Sequence, residues 1–69
     1  MHIKLAVGPM MAGYVDIAIQ CDDSAVGRFS GTCKQALALR DIVVRGARGR
    51  GHYAEVDGFA ALEEATPDV

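Results

Sequence analysis

The sequence predicts a small α+β fold: an antiparallel sheet of three to four strands with one amphipathic helix on one face. Two segments before residue 22 alternate apolar and polar side chains, which is typical of half-buried strands. A threonine-capped segment then repeats apolar residues at helical spacing, and a short alternating segment follows it. The 69 residues suffice for one small domain, residues 1–69, in the order β-β-β-α-β plus a short C-terminal helix.

The first predicted strand is the stretch HIKLAV. Ile3, Leu5 and Val7 share one face, and the residues between them share the other. We expect Gly8-Pro9 to end this strand, because proline has no N–H to donate to a sheet.

The second predicted strand, YVDIAIQC, has the strongest alternation in the chain. Val15, Ile17 and Ile19 point one way, and the residues between them point the other. Asp22-Asp23-Ser24 has the chemistry of a turn, because short oxygen-bearing side chains hydrogen-bond their own backbone. A third strand is expected from Ala25 to Phe29, as the hairpin partner of the second.

Thr32 marks the beginning of the predicted helix, since Thr32 and Gln35 have the spacing of a capping box. The helix itself is the stretch CKQALALRDIVVRGA. Arg40 flanks its apolar side, and we expect the guanidinium to extend past the edge of the core. The side that faces the core is expected to hold Ala36, Leu39, Ile42 and Val43.

The stretch RGARGRG, at 45–51, has two interpretations. Arg45, Arg48 and Arg50 are suited to phosphate contacts. Alternatively, the glycines close the helix in the left-handed conformation and the arginines face the negative end of its dipole. We favour helix closure, and the sequence leaves open whether the helix ends at Gly46, Gly49 or Gly51.

HYAEVDG predicts a fourth strand, and FAALEEA is a candidate last helix that would bury Phe59 and Leu62. The sequence leaves open whether residues 59–66 are helical, and we expect the chain after Pro67 to fray. One helix covers one face of such a sheet, so the other face is left solvated or available for binding.

Composition and charge narrow the function classes. The net charge is −2 and the pI is near 5.5, which disfavours direct nucleic-acid binding. Cys21 and Cys33 form no Cys-x-x-Cys motif, and no apolar run approaches the length of a membrane span. We therefore expect a soluble cytoplasmic protein with reduced thiols.

Catalytic and metal-binding chemistry have little support. The stretch 46–51 lacks the Lys-Ser/Thr ending of a phosphate-binding loop. His2 and His52 have no metal-like spacing to a cysteine. We expect a protein that is not an enzyme and that has no cofactor and no metal site.

Two resemblances bear on function. The segment YVDIAIQCDDSAVGRFSGTCKQALALRDIV resembles the strand-strand-strand-helix start of the HicB-type antitoxins, where an aspartate-containing hairpin precedes a threonine-capped helix. The segment GTCKQALALRDIVVRGARGRGHYAEVDG is similar to small α/β proteins of phages and mobile elements, among them anti-CRISPR proteins. The second resemblance implies stoichiometric binding to an RNA-guided effector complex of type I, which blocks target DNA binding or nuclease recruitment.

The leading hypothesis is thus a small inhibitor that binds a subunit of a bacterial defence effector through its open sheet face. The predicted partner-binding residues are Tyr14, Asp16, Asp22, Asp23, Tyr53, Glu55 and Asp57. A nucleic-acid-binding protein is the alternative, with a basic surface of Lys34, Arg45, Arg48 and Arg50. An antitoxin-like regulator is a third hypothesis, and a homodimer formed through the exposed sheet or an unpaired edge strand is a further expectation.

Overall fold

The computed structural model describes residues 1–65 and confirms the α+β class, with six elements. The strands are β1 (His2–Met11), β2 (Tyr14–Cys21), β3 (Ser24–Thr32) and β4 (Tyr53–Asp57). The helices are α1 (Cys33–Gly49) and α2 (Phe59–Ala65), so the last predicted helix is confirmed up to Ala65. The expected fraying after Pro67 lies outside the described residues.

The four strands form one mixed sheet in the order β3-β2-β1-β4. β1, β2 and β3 are antiparallel to their neighbours, as expected, whereas β4 is parallel to β1. The two hairpins make β3 run in the same direction as β1, and α1 then returns the chain to the end of the sheet where β3 began. A crossover helix of this kind produces a parallel strand, so the sheet is not wholly antiparallel.

The prediction that Gly8-Pro9 ends β1 is wrong, because the strand continues to Met11. The register with β2 shifts between Val7 and Met10, which places the proline in a bulge. A bulge leaves a residue out of the ladder, so the missing N–H of proline is tolerated there. β3 likewise extends beyond the predicted 25–29 segment, to Ser24–Thr32.

Both hairpins turn in two residues. Ala12-Gly13 joins β1 to β2 with φ angles of 52° and 81°, and Asp22-Asp23 joins β2 to β3 with φ angles of 49° and 69°. Two positive φ angles are the signature of the type I′ turn, whose twist matches that of the flanking strands. The predicted turn at Asp22-Asp23 is therefore confirmed.

The capping box at the beginning of α1 is present. The Thr32 hydroxyl accepts the backbone N–H of Gln35 at 3.2 Å, and the Gln35 side-chain oxygen accepts the N–H of Thr32 at 2.9 Å. Two of the free N–H groups at the helix end are thus satisfied.

The arginine- and glycine-rich stretch closes α1, which ends at Gly49. The N–H of Gly51 donates to the carbonyl of Arg48, and the N–H of His52 donates to the carbonyl of Ala47. Together with φ of +76° at Gly51, these two bonds form a Schellman motif. Helix closure is therefore what this stretch does structurally, and Arg48 lies in the last turn beside the negative end of the dipole.

The core lies between the sheet and the two helices. Leu5, Val15 and Ile17 of the sheet are buried against Ala36 of α1 and, in α2, against Phe59 and Leu62. We call this side of the sheet the covered face. The prediction that Ile42 faces the core is wrong, since Ile42 is 66% exposed. The buried side of α1 is the one that carries Ala36 and Ala47. Ile42 lies on a different side of the helix, away from α2, and is therefore left exposed.

Candidate functional site

Strand alternation and register define the opposite side of the sheet, which we call the open face. Both helices pack on the covered face, so side chains of the other parity point away from the core. The open face carries His2, Lys4, Ala6, Tyr14, Asp16, Ala18, Gln20, Arg28, Ser30, Tyr53, Glu55 and Asp57. Five of the seven predicted partner-binding residues are in this set; Asp22 and Asp23 lie in the turn at one end.

At the β4 side of the open face, Glu55 is the centre of a small ion-pair cluster. One Glu55 oxygen lies 3.2 Å from Nε2 of His2, and the other lies 3.7 Å from Nζ of Lys4. The Tyr53 ring meets the His2 ring edge-on, with centroids 4.8 Å apart. The charge of Glu55 is therefore already partnered within the sheet.

Asp16 is partnered in the same way. Its carboxylate lies 3.8 Å from Nη2 of Arg28, and both side chains remain about half exposed or more. Exposed pairs of this kind contribute little to stability, typically about 0–1 kcal/mol. Their main effect is to reduce the net negative charge that the open face presents.

Small side chains occupy the middle of the open face. Ala6 of β1 pairs directly with Ala18 of β2, and no long side chain rises above the backbone at either position. The longer side chains of Lys4, Asp16 and Arg28 surround this pair. The middle of the face is thus apolar and its surroundings are polar, and an apolar centre with a polar rim is typical of protein–protein interfaces.

The two tyrosines are exposed by 58% (Tyr14) and 64% (Tyr53), but the structure does not bring them together. Tyr53 pairs with His2 at the beginning of β1, whereas Tyr14 pairs with Met11 at its end. At about 3.3 Å per residue, the backbone positions of the two tyrosines lie roughly 30 Å apart. They mark opposite ends of the open face and do not form one aromatic patch.

The two turn aspartates differ in their contacts. Oδ1 of Asp22 accepts the backbone N–H of His2 at 2.8 Å, and the N–H of Asp22 donates to the His2 carbonyl at 2.8 Å. Asp22 therefore holds the turn against β1. Asp23 and Asp57 are exposed and have no ion pair within residues 1–65, so among the predicted partner-binding residues they are the carboxylates that remain available.

The alternative basic residues do not form one patch. Lys34 lies in the first turn of α1, whereas Arg45, Arg48 and Arg50 lie at its other end, roughly 20 Å away at 1.5 Å per residue. Arg45 and Arg48 line an open groove of about 490 Å³ between α1 and β4. The remaining lining residues of this groove are Arg40, Asp41, Val44, Ala54 and Val56.

Arg40 has a role that the sequence did not indicate. Its guanidinium hydrogen-bonds to Glu63 of α2 and to Asp41, and it lies 5.7 Å from the centre of the Phe59 ring. The hydrogen bond to Glu63, followed by the contacts with Asp41, raises the pKa of Arg40 above its ordinary value, so it stays charged. Arg40 thus joins α2 to α1, and its partner is 23 residues away in the sequence.

Within residues 1–65, no three His, Cys, Asp or Glu side chains are grouped as a metal site, and neither helix is long and apolar enough to cross a membrane. Cys21 and Cys33 are both free thiols. The Cys33 sulfur lies 3.9 Å from the sulfur of Met10, at the rim of the core.

Comparisons with known proteins add no identification. No protein-family model matches the sequence, and neither the curated proteins nor the solved structures gave a significant match.

Proposed function

We propose that this protein is a small, stoichiometric binding protein that docks its open face onto a protein partner. The observation that carries the proposal is the open face itself, a four-stranded surface with exposed tyrosines at its two ends. Tyrosine buries a large area at low entropic cost, which makes Tyr14 and Tyr53 suitable anchors.

The size of the open face fits such a role. Strands of these lengths, spaced about 4.8 Å apart, give a face of roughly 30 by 15 Å. A standard interface buries about 800 Å² of accessible surface on each partner, so binding would engage the whole face and its turns.

The charge on this surface favours a basic partner. Asp23 and Asp57 have no ion pair within residues 1–65. Asp16 and Glu55 pair with exposed cations of the sheet and can pair with cations of a partner instead. Such complementarity chiefly supplies specificity and a fast association rate. A groove that normally holds nucleic acid is a surface of this chemistry.

In its specific form, the proposal is that the protein inhibits a type I RNA-guided effector complex by occupying a basic channel needed for DNA binding or nuclease recruitment. The likeness to small phage and mobile-element proteins supports this identity of the partner.

The test is a titration of the purified protein into purified type I effector complexes, with target DNA binding measured by gel shift. We expect DNA binding to fall to zero at a fixed molar ratio of protein to complex, because inhibition is by occupancy. Full DNA binding at a large molar excess, across a panel of type I complexes, would contradict the specific form of the proposal.

A nucleic-acid-binding role is the second candidate, because Arg45 and Arg48 have no ion pair within residues 1–65. It predicts direct binding of DNA or RNA that weakens steeply with salt. A gel shift with the protein alone at low salt separates the two candidates, since open-face binding to a protein predicts no shift.

A further inference from the structure

The outer edge of β4 lies beside the arginine-lined groove, and the two together form a surface separate from the open face. β4 is at the end of the strand order, so its far side has no neighbouring strand within residues 1–65. The N–H of Tyr53 donates to the carbonyl of Met1, at 3.1 Å. Successive residues of a strand alternate in direction, so the N–H and C=O groups of Ala54 and Val56 point to the free edge.

The groove beside this edge has an apolar floor. Val56 belongs to the covered face, yet it is 41% exposed, while its partner across the sheet, Leu5, is 1% exposed. Val44 and Ala54 complete the floor. This part of the covered face therefore lacks the cover that the helices provide over the rest.

The rim of the groove is cationic. Arg40 is occupied by Glu63 and Asp41, but Arg45 and Arg48 have no carboxylate partner within residues 1–65. On the other side of the same strand, Glu55 and Asp57 face away from the groove. The edge thus presents cations on one side of its backbone and carboxylates on the other.

We propose that the β4 edge binds an extended segment of another protein as a fifth strand, with acidic and apolar residues facing the groove and basic residues facing Glu55 and Asp57. Main-chain hydrogen bonds to Ala54 and Val56 supply affinity, and the alternating side chains supply specificity. This surface shares Glu55 and Asp57 with the open face, but its strand edge and groove are used by neither of the roles proposed for the open face, and the inference does not rest on the proposed function.

A second copy of this chain does not fit the same edge. Pairing of β4 with its own copy would place Glu55 and Asp57 beside the carboxylates of the copy. Like charges on neighbouring strands are destabilising, so charge complementarity selects a different chain.

The test uses the whole chain and a fluorescent peptide in which glutamate, valine and glutamate alternate with lysines. Binding is measured at low salt as an increase in the fluorescence anisotropy of the peptide. We expect binding, and at least about a tenfold weaker affinity for the double variant Arg45→Glu/Arg48→Glu. The matched control, Lys34→Glu/Arg50→Glu, has the same change in charge away from the groove and should bind as the unmodified protein does.

Two peptide controls test the strand geometry. A peptide with the same residues in separate blocks should not bind, because it lacks the alternation. N-methylation of one alternate set of amides should abolish binding, and methylation of the other set should be tolerated, since a strand uses one set for each edge.

The proposal is overturned if no binding occurs up to about 1 mM peptide. This upper concentration is chosen because a single added strand is expected to bind weakly. It is also overturned if the block peptide binds equally well or if Arg45→Glu/Arg48→Glu binds unchanged. A third outcome also overturns it: no peptide binds, the unmodified protein shifts nucleic acid in a gel, and both charge variants lose that shift. The arginines would then be assigned to phosphate contacts. None of these outcomes depends on inhibition of an effector complex.

Discussion

The two faces of the sheet are built from the same strands but have opposite environments. On the covered face, Leu5, Val15 and Ile17 are at most 1% exposed and pack against both helices. On the open face, the alternate residues of the same strands include Tyr14, which is more than half exposed, and Asp16, which is about half exposed. Period-2 alternation thus separates residues that stabilise the fold from residues that are available for binding.

The charged groups follow the same division. Within residues 1–65, the open face holds three ion pairs, all of them partly exposed, which contribute little to stability. The buried core of the covered face is apolar within residues 1–65, and the charged groups on that side, among them Arg40 with its link from α1 to α2, lie at its edge. Substitutions should therefore change stability on one face and recognition on the other.

The largest expected effect is at Ile17, which is fully buried. Ile17→Ala should lower the free energy of unfolding by about 2–5 kcal/mol, because it removes apolar burial and leaves a cavity. The free energy of unfolding of a domain of this size is roughly 3–10 kcal/mol, so Ile17→Ala can unfold it altogether. Ile17→Val should lower that free energy by only about 0.5–1.5 kcal/mol, which keeps the protein folded and the loss measurable by urea denaturation.

Its matched control is the neighbouring open-face position, Ala18. Ala18→Thr should change the free energy of unfolding by no more than about 0.5 kcal/mol. If Ala18→Thr destabilises the protein as much as Ile17→Val does, the open face is part of the folding core and the division between the faces does not hold.

Gly58 tests how α2 reaches the covered face. Its φ is +86°, and a Cβ there would lie 3.0 Å from Cβ of Val7. Gly58→Ala should destabilise the protein by about 1–3 kcal/mol, because the left-handed backbone and the contact both oppose a side chain.

Gly49→Ala provides the comparison for that measurement. Gly49 is helical, and a Cβ at this position would have no neighbouring atom of residues 1–65 within 4 Å outside its own helical turn. This substitution should leave stability unchanged or raise it by up to about 1 kcal/mol. Equal thermal shifts for the two variants would show that Gly58 is not required for the turn into α2.

Much of the fold is predictable because it depends on local chemistry. The limits of β2, the capping box at Thr32 and the turn at Asp22-Asp23 each follow from a few neighbouring residues. The arginine- and glycine-rich stretch is also local: α1 ends at Gly49 and Gly51 takes the left-handed conformation that closes it, in agreement with the favoured interpretation.

The features that the sequence did not indicate depend on distant contacts. The parallel direction of β4 is decided by how α1 crosses the sheet, and the role of Arg40 is decided by Glu63 of another helix. The burial of Ile42 was mispredicted because helical periodicity does not say how much of a helix its neighbours cover. The Asp16–Arg28 ion pair lies between these two cases. The residues are diagonal neighbours in the β2–β3 hairpin, so a correct hairpin register would have been enough to suggest the pair.

The candidate site shows the same limit. Alternation predicts that Tyr14 and Tyr53 share a face, and the register agrees. Their separation of roughly 30 Å follows only from the pairing of β1 with both β2 and β4. The sequence alone therefore suggested a single acidic and aromatic surface, whereas the structure places the two tyrosines at opposite ends of the face.

The central claim is that the open face recognises a partner without stabilising the fold. The most direct measurement compares Tyr14→Thr/Asp57→Lys with the charge-matched control Glu64→Lys, in both urea denaturation and inhibition of effector DNA binding. We expect the open-face variant to unfold within about 0.5 kcal/mol of the unmodified protein and to lose at least about tenfold in inhibition, while the control retains it. Unchanged inhibition by the stably folded open-face variant would contradict the account.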